Sequence, residues 1–202
     1  MWGLIYKDIL NLKKSFRAYA ALVVFYAALS LFEEAASGMM GVAIVLSAIL
    51  PITAIAYDER AKWDRYVLTM PVSRRNVVLA KYMLGFLMLI PTLLVCFAFQ
   101  VVSRMPLEEN LLLCAVFCGL GVLLLSLVLP IIYRFGAERG RIAMMAVLFV
   151  PTVCIGLLAK SGVTLPEPDV LLRVWYWPPI ALIVLCAVSM FLSVRIYQKK
   201  EF

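Results

Sequence analysis

Long apolar segments follow one another along almost the whole chain, and this repetition constrains the fold more than any other sequence feature. Each segment is close to the roughly 20 residues that a helix needs to cross the bilayer core. The chain has 202 residues, 65% of them hydrophobic, and a mean hydropathy of +1.00. Soluble domains contain only about half apolar residues, and one small core cannot bury the excess. The sequence therefore predicts an all-α membrane protein with six transmembrane helices, at about 18–32, 39–57, 82–102, 111–133, 142–158 and 175–194.

The positive charges are distributed unevenly between the two sides of these predicted spans. The net charge of +7 would suggest a nucleic-acid partner in a soluble chain, but in a membrane protein Lys and Arg mark the cytoplasmic loops. All but three of the 19 Lys and Arg residues fall on the side that holds the N-terminus; the exceptions are Arg104, Lys160 and Arg173. This distribution predicts that both termini are cytoplasmic, and it predicts no nucleic-acid partner.

Residues 1–17 form an amphipathic segment before the first predicted span. Its apolar side carries Trp2, Ile5, Ile9, Leu12 and Phe16, and its polar side carries Lys7, Asp8, Lys13 and Lys14. The pattern favours an interfacial helix on the membrane surface. A frayed basic N-terminus is one alternative. A signal peptide cleaved near 35–38 is another, disfavoured because its basic region would be long and itself amphipathic.

The stretch from Tyr57 to Tyr82, hereafter the 57–82 stretch, concentrates charge and aromatic residues between two predicted spans. Its spacing predicts a helix at about 58–70 with one apolar face, and Pro71 then ends that helix. Ser73 is placed to cap the next helix. We interpret the stretch as a docking surface rather than an unpartnered solvated loop, because aromatic and apolar residues share one face: Trp63, Tyr66, Val67 and Met70.

The chain shows no residues for chemistry of its own. It contains no His and no phosphate-binding loop, and no charged residue lies within the six predicted spans. The cysteines Cys96, Cys114, Cys118, Cys154 and Cys186 all lie in apolar runs, as buried thiols do. We therefore predict no catalytic, cofactor-binding or metal-binding residue, and no enzyme activity. Energy for directional work would come from a partner bound on the cytoplasmic side.

Two motifs resemble known membrane proteins. The opening M-W-G-L-I-Y-K-D-I-L-N-L-K-K and the segment D-E-R-A-K-W-D-R-Y-V-L-T-M-P-V-S-R-R-N-V-V-L-A-K-Y resemble small bacterial ATP-binding-cassette (ABC) type-2 permeases. The likeness includes permeases associated with export of phenol-soluble-modulin-like peptides. It implies a type-2 ABC exporter permease fold, with an elbow helix at 1–17, a six-span domain at 18–202 and a cytoplasmic coupling helix at about 58–70. By the same resemblance, the contacts with an ATPase subunit would be Glu59, Lys62, Trp63, Asp64, Arg65, Tyr66 and Met70.

The resemblance also implies partners and a location. Two permease subunits, identical or different, would face each other in the bacterial cytoplasmic membrane, and two ABC ATPase subunits would carry ATP and Mg. The uncharged spans favour a hydrophobic or amphipathic cargo, such as a peptide. The alternative is a membrane scaffold or accessory protein that recruits another cytoplasmic partner. A lipid-directed intramembrane enzyme is disfavoured, because the predicted spans contain no acid, His or coherent nucleophile–base set, and Ser126, Ser189 and Ser193 are better interpreted as helix-packing hydroxyls.

Overall fold

The computed structural model describes residues 2–29, 36–67, 69–102, 106–160 and 177–200. Within these residues the chain is all-helical, in agreement with the predicted class. The elements are α1 (Trp2–Leu29), α2 (Ala36–Arg60), α3 (Trp63–Val67), α4 (Arg74–Val102), α5 (Leu107–Phe135), α6 (Ala137–Lys160) and α7 (Trp177–Lys199).

Helices α2, α4 and α5 form the centre of the bundle, and each contacts the other two. Helix α1 packs on α2 and α4, α6 packs on α5 and α2, and α7 packs on α5 and α4. Glycines bring the central helices close together: a Cβ on Gly121 would collide with Leu89, and one on Gly85 would collide with Leu125. Such small residues at helix crossings are typical of membrane bundles, where packing drives association.

Four of these helices are long and apolar enough to cross a membrane, judged by length and composition over the described residues. The criterion selects Gly41–Arg60, Arg74–Val102, Asn110–Phe135 and Pro179–Lys199, and the shorter apolar stretch Ser15–Tyr26 lies in α1. The predicted spans at 18–32 and 142–158 are not among the four. The structure therefore supports a multi-pass membrane protein with four candidate spans, and the count of six stays a prediction.

The N-terminal segment does not form a separate helix in the structure. Helix α1 runs without a break from Trp2 to Leu29, past the predicted boundary at residue 17. No Gly or Pro lies between residues 4 and 29 to interrupt the hydrogen-bond ladder. The predicted apolar side is also divided, since Ile5 and Leu12 are buried whereas Trp2 is exposed.

One end of the bundle collects most of the charged residues, and we call it the charged end. It contains the start of α1, α4 and α6 and the end of α2, α5 and α7, as the side-chain contacts between these termini show. Both ends of the described chain therefore lie at the same end of the bundle.

Candidate functional site

The 57–82 stretch occupies the charged end, but its helix is shorter than predicted. Residues 58–60 belong to the last turn of α2, and α3 covers only Trp63–Val67. Lys62 has a φ of +51°, a left-handed conformation that ends the α2 geometry before α3 begins. The predicted single helix at about 58–70 is thus divided at Lys62. The predicted cap is confirmed: the Ser73 hydroxyl accepts a hydrogen bond from the Asn76 backbone N–H, 3.3 Å away.

Four charged side chains meet where α1, α2 and α4 come together, and we call them the ion cluster. Lys81 donates hydrogen bonds to Asp8 Oδ2 at 2.7 Å and to Asp58 Oδ2 at 2.6 Å. Lys7 donates to Asp58 Oδ1 at 2.6 Å, and its Nζ lies 3.0 Å from Asp8 Oδ1. Two ammonium groups and two carboxylates therefore surround one another, and the cluster carries no net charge.

Three members of the ion cluster, Asp8, Asp58 and Lys81, are buried, which raises the cost of removing any one of them. Only 1% of Asp8 and 4% of Lys81 is exposed. A buried ion pair adds little net stability compared with an apolar pair, but removing one partner costs about 3–5 kcal/mol because the other charge stays buried. The cluster therefore ties α1, α2 and α4 into one unit. It also corrects the sequence interpretation that Asp8 lies on the polar outer side of the N-terminal helix.

Trp63 connects α3 to the ion cluster. The Lys7 Nζ lies 4.3 Å from the centroid of the Trp63 ring, within cation–π distance. The ring is half-buried and packs against the main hydrophobic core. Trp63 therefore contacts other helices of this chain, through Lys7 of α1 and through the hydrophobic core.

Glu59 connects α2 to α6. Both of its carboxylate oxygens accept from the backbone N–H of Ala137, at 3.2 and 3.0 Å, at the first turn of α6. A carboxylate is favoured there because the first N–H groups of a helix lack internal acceptors and carry partial positive charge. The α5–α6 turn consists of Gly136, whose φ of +91° is accessible to glycine and strained for other residues.

Two further contacts connect the 57–82 stretch to α7. The Tyr197 hydroxyl donates to Asp64 Oδ1 at 2.8 Å. The Arg74 guanidinium donates to three backbone carbonyls at the end of α7: Tyr197 at 3.4 Å, Gln198 at 2.7 Å and Lys200 at 3.2 Å. The last carbonyls of a helix have no intrahelical donor, so Arg74 caps α7.

The seven residues predicted to contact an ATPase therefore divide into two groups. Glu59, Trp63 and Asp64 hold the stretch to α6, α1 and α7. The exposed group consists of Lys62, Arg65, Tyr66 and Met70. Tyr66 is the most prominent apolar member, with 62% of its surface exposed. The structure thus brings all seven to one end of the bundle but leaves only four with their side chains directed outward.

Sequence reasoning missed the ion cluster because its members lie far apart along the chain. Lys81 is 73 residues from Asp8 and 23 from Asp58. A signal was available: Ile5, Asp8 and Leu12 share the 3–4 spacing of one helix face, and this is the face that is buried. An acidic residue within such a face indicates a buried cation or hydrogen-bond donors beside it.

The predicted packing role is confirmed for the hydroxyls of Ser189 and Ser193, whereas Ser126 contributes its backbone carbonyl. The Tyr82 hydroxyl on α4 lies 2.6 Å from Ser189 Oγ and 2.9 Å from Ser193 Oγ on α7. Ser189 in turn donates to the backbone carbonyl of Ser126 on α5. These hydroxyls connect three helices. Among the residues that the structure describes, no group of three His, Cys, Asp or Glu side chains could hold a metal ion.

Comparison with known proteins identifies the family. The family model described as ABC-2 family transporter protein matches residues 3–198. The search of curated proteins gives no match. Permeases of this family are transmembrane subunits, and membership implies partnership with an ABC ATPase and the membrane. Because the match covers nearly the whole sequence, this chain belongs to the ABC-2 family of transporter membrane proteins.

Proposed function

We propose that this chain is the permease subunit of an ATP-driven ABC exporter and that the 57–82 stretch receives the motion of a separate ATPase. The observation that carries the proposal is the division of this stretch into two sides. One side presents Lys62, Arg65, Tyr66 and Met70 outward. The other side is bonded to helices α1, α4, α6 and α7.

The bonded side supports a mechanical role. A load applied to α3 acts on Trp63 and Asp64, and through them on Lys7 and Tyr197 of α1 and α7. Asp58 carries the same load into Lys81 of α4. The Asp58–Lys81 contact is short and buried and therefore costly to break, and the Tyr197–Asp64 hydrogen bond is short and part-buried, so the attached helices move together with α3 in this proposal.

The charged end faces the cytoplasm in this proposal, since the positive charges concentrate there. ATP and Mg belong to two ATPase subunits bound below, and a second permease, identical or different, completes the pathway. This chain supplies the coupling surface and one half of the membrane path, and performs no catalysis itself. The bacterial cytoplasmic membrane is the proposed location.

The cargo we propose is a hydrophobic or amphipathic molecule, with an amphipathic peptide as the leading candidate. The support is the absence of charged side chains from the middle of the described helices: 18–29, 41–57, 82–102, 110–133, 142–159 and 179–194 contain none. An ion or proton path generally requires such groups. The resemblance to permeases for phenol-soluble-modulin-like peptides points the same way.

The test is co-purification of the full chain with its ABC ATPase, comparing a double variant, Tyr66→Ala with Met70→Ala, against the control Phe149→Ala. Tyr66 and Phe149 are both exposed aromatics, Phe149 at 66%, but Phe149 lies halfway along α6 and away from the charged end. We expect Tyr66→Ala, combined with Met70→Ala, to reduce ATPase recovery at least tenfold and Phe149→Ala to leave it unchanged. Large apolar side chains at the centre of an interface typically dominate its affinity.

Two outcomes would contradict the proposal in different ways. Full recovery of the ATPase with Tyr66 and Met70 removed would show that the docking surface lies elsewhere. Capture of a different cytoplasmic protein, with no ATPase bound to the unsubstituted chain, would favour the scaffold alternative.

A further inference from the structure

We propose that a cleft between α2 and α6 binds the phosphate headgroup of an anionic phospholipid. The cleft lies beside the α5–α6 turn and has a volume of about 390 Å³. Three of its lining residues are Arg60 at the end of α2 and Arg139 and Arg141 in the first turns of α6. All three are exposed, and we call the site the arginine cleft.

The charge in the arginine cleft favours an anion. Glu59 and Glu138 also line it, so the carboxylates are outnumbered by the guanidinium groups. Glu59 accepts from the Ala137 N–H and keeps its negative charge, so three guanidinium groups face two carboxylates and the cleft has a formal excess of one positive charge. Guanidinium groups match phosphate geometry because they donate paired hydrogen bonds in a fixed plane.

The depth of the cleft favours a lipid over a soluble anion. Arg60 is the last residue of a candidate membrane span, which places the cleft at the level of the polar headgroups. Directly after Arg141, α6 exposes the large apolar side chains of Ile142 and Met145. A ligand with a phosphate head and acyl chains would meet the arginines and this apolar surface together, as a soluble acidic protein would not.

This binding is independent of the proposed export function, because it requires neither the ATPase nor a cargo. The site also lies apart from the four exposed residues predicted to contact the ATPase. None of the four lines the arginine cleft. Basic pockets between membrane helices bind acidic headgroups, and we take as the scale the attraction of juxtamembrane Lys or Arg to anionic lipid, which is about one kcal/mol for each residue. That value corresponds to about a fivefold change in affinity for each arginine.

The experiment is a lipid titration of the full chain in detergent, followed by native mass spectrometry. The two probes are dioleoyl phosphatidylglycerol and dioleoyl phosphatidylcholine, which have the same acyl chains and differ in net charge. We expect phosphatidylglycerol to bind at least fivefold more tightly. Arg60→Gln, Arg139→Gln and Arg141→Gln should each lower its affinity about fivefold, and together they should abolish the preference.

Two further variants test whether the effect depends on the position and on the sign of the removed charge. Arg75→Gln removes the same charge from an exposed site at the charged end that does not line the cleft, and we expect no loss of preference. Glu138→Gln removes an opposing carboxylate and should raise phosphatidylglycerol affinity several-fold. Because all these side chains are exposed, the variants should fold, and their elution in size-exclusion chromatography checks this.

Three results would overturn the proposal. The first is an unchanged phosphatidylglycerol preference in the folded triple variant. The second is an equal loss in Arg75→Gln, which would indicate a diffuse charge effect. The third is binding of inorganic phosphate alone at least as tightly as phosphatidylglycerol, which would show that the acyl chains contribute nothing and that the arginines bind a free anion. In the first case, loss of ATPase recovery by the same triple variant would identify the cleft as a protein-docking surface.

Discussion

The Nζ atom of Lys81 lies 2.6 Å from Oδ2 of Asp58, and this contact joins the start of α4 to the end of α2 beneath the short helix α3. Lys81 stands two turns inside α4, about 10 Å from its first residue by helix geometry. The pair is completed by Asp8 and Lys7 from α1. The ion cluster therefore holds α1, α2 and α4 together through charges that are costly to separate, and α3 contacts it through Trp63 and Lys7.

Lys81→Met tests the ion cluster. We expect the free energy of unfolding to fall by about 3–5 kcal/mol, because Asp8 and Asp58 would share the single cation of Lys7 in a buried site. Reversible unfolding in mixed micelles measures this. Arg75→Met, an exposed cation on the same helix, should stay within about 0.5 kcal/mol. Exchanging the charges in Asp58→Lys with Lys81→Asp should recover part of the loss, and equal instability of both Lys81→Met and Arg75→Met would refute the role of the cluster.

Gly136→Ala tests the turn between α5 and α6. The φ of +91° is strained for alanine, so we expect a loss of about 1–3 kcal/mol in unfolding free energy. Gly3→Ala provides a control of opposite sign, since Gly3 is helical with open space around it and alanine is the better helix former by about 1 kcal/mol. Similar effects of the two substitutions would contradict the described turn.

Tyr82→Phe tests the hydroxyl contacts between α4 and α7. Removing the hydroxyl leaves Ser189 and Ser193 without this buried partner, and we expect a loss of about 1–3 kcal/mol. Thermal unfolding in detergent measures the difference. Tyr57→Phe is the matched control, because its hydroxyl is exposed and lies 3.4 Å from Ser15 Oγ. A shift no larger than that of the control would argue against the network.

Arg74→Gln tests the attachment of α7 to the 57–82 stretch. We expect faster amide exchange in the last turn of α7, because a short neutral amide cannot reach the three carbonyls that Arg74 caps. Hydrogen–deuterium exchange of a peptide covering 194–200 provides the measurement. Arg75→Gln should leave the rate unchanged. Unaltered exchange in both variants would mean that other contacts hold the end of α7.

Much of the fold could be predicted because apolar length and charge position act locally. The helical class, the multi-pass character and the cap at Ser73 follow from short windows of sequence, and the structure agrees with them. The predicted extent of the helix at about 58–70 was wrong, for a reason that no short segment of sequence shows. Lys62 adopts a left-handed conformation there, and α2 extends to Arg60 because Glu59 and Asp58 find partners on α6, α1 and α4.

The sequence by itself determined that this chain is a membrane bundle, which of its ends is charged and where the residues predicted to dock a partner concentrate, because hydrophobicity and charge are properties of each segment alone. Only the tertiary structure decided the tasks of those residues. Asp8 and Lys81 are distant in the chain, and neither stands out in its own segment of the sequence. Both are buried, and each is the other's partner in an ion pair. Glu59, Trp63 and Asp64 lie in the same charged and aromatic segment as Lys62, Arg65 and Tyr66, and the sequence pattern does not separate the two groups. The fold separates them, because the first group is bonded to other helices whereas the second is exposed. A buried charge requires a partner, and the partner is supplied by the fold.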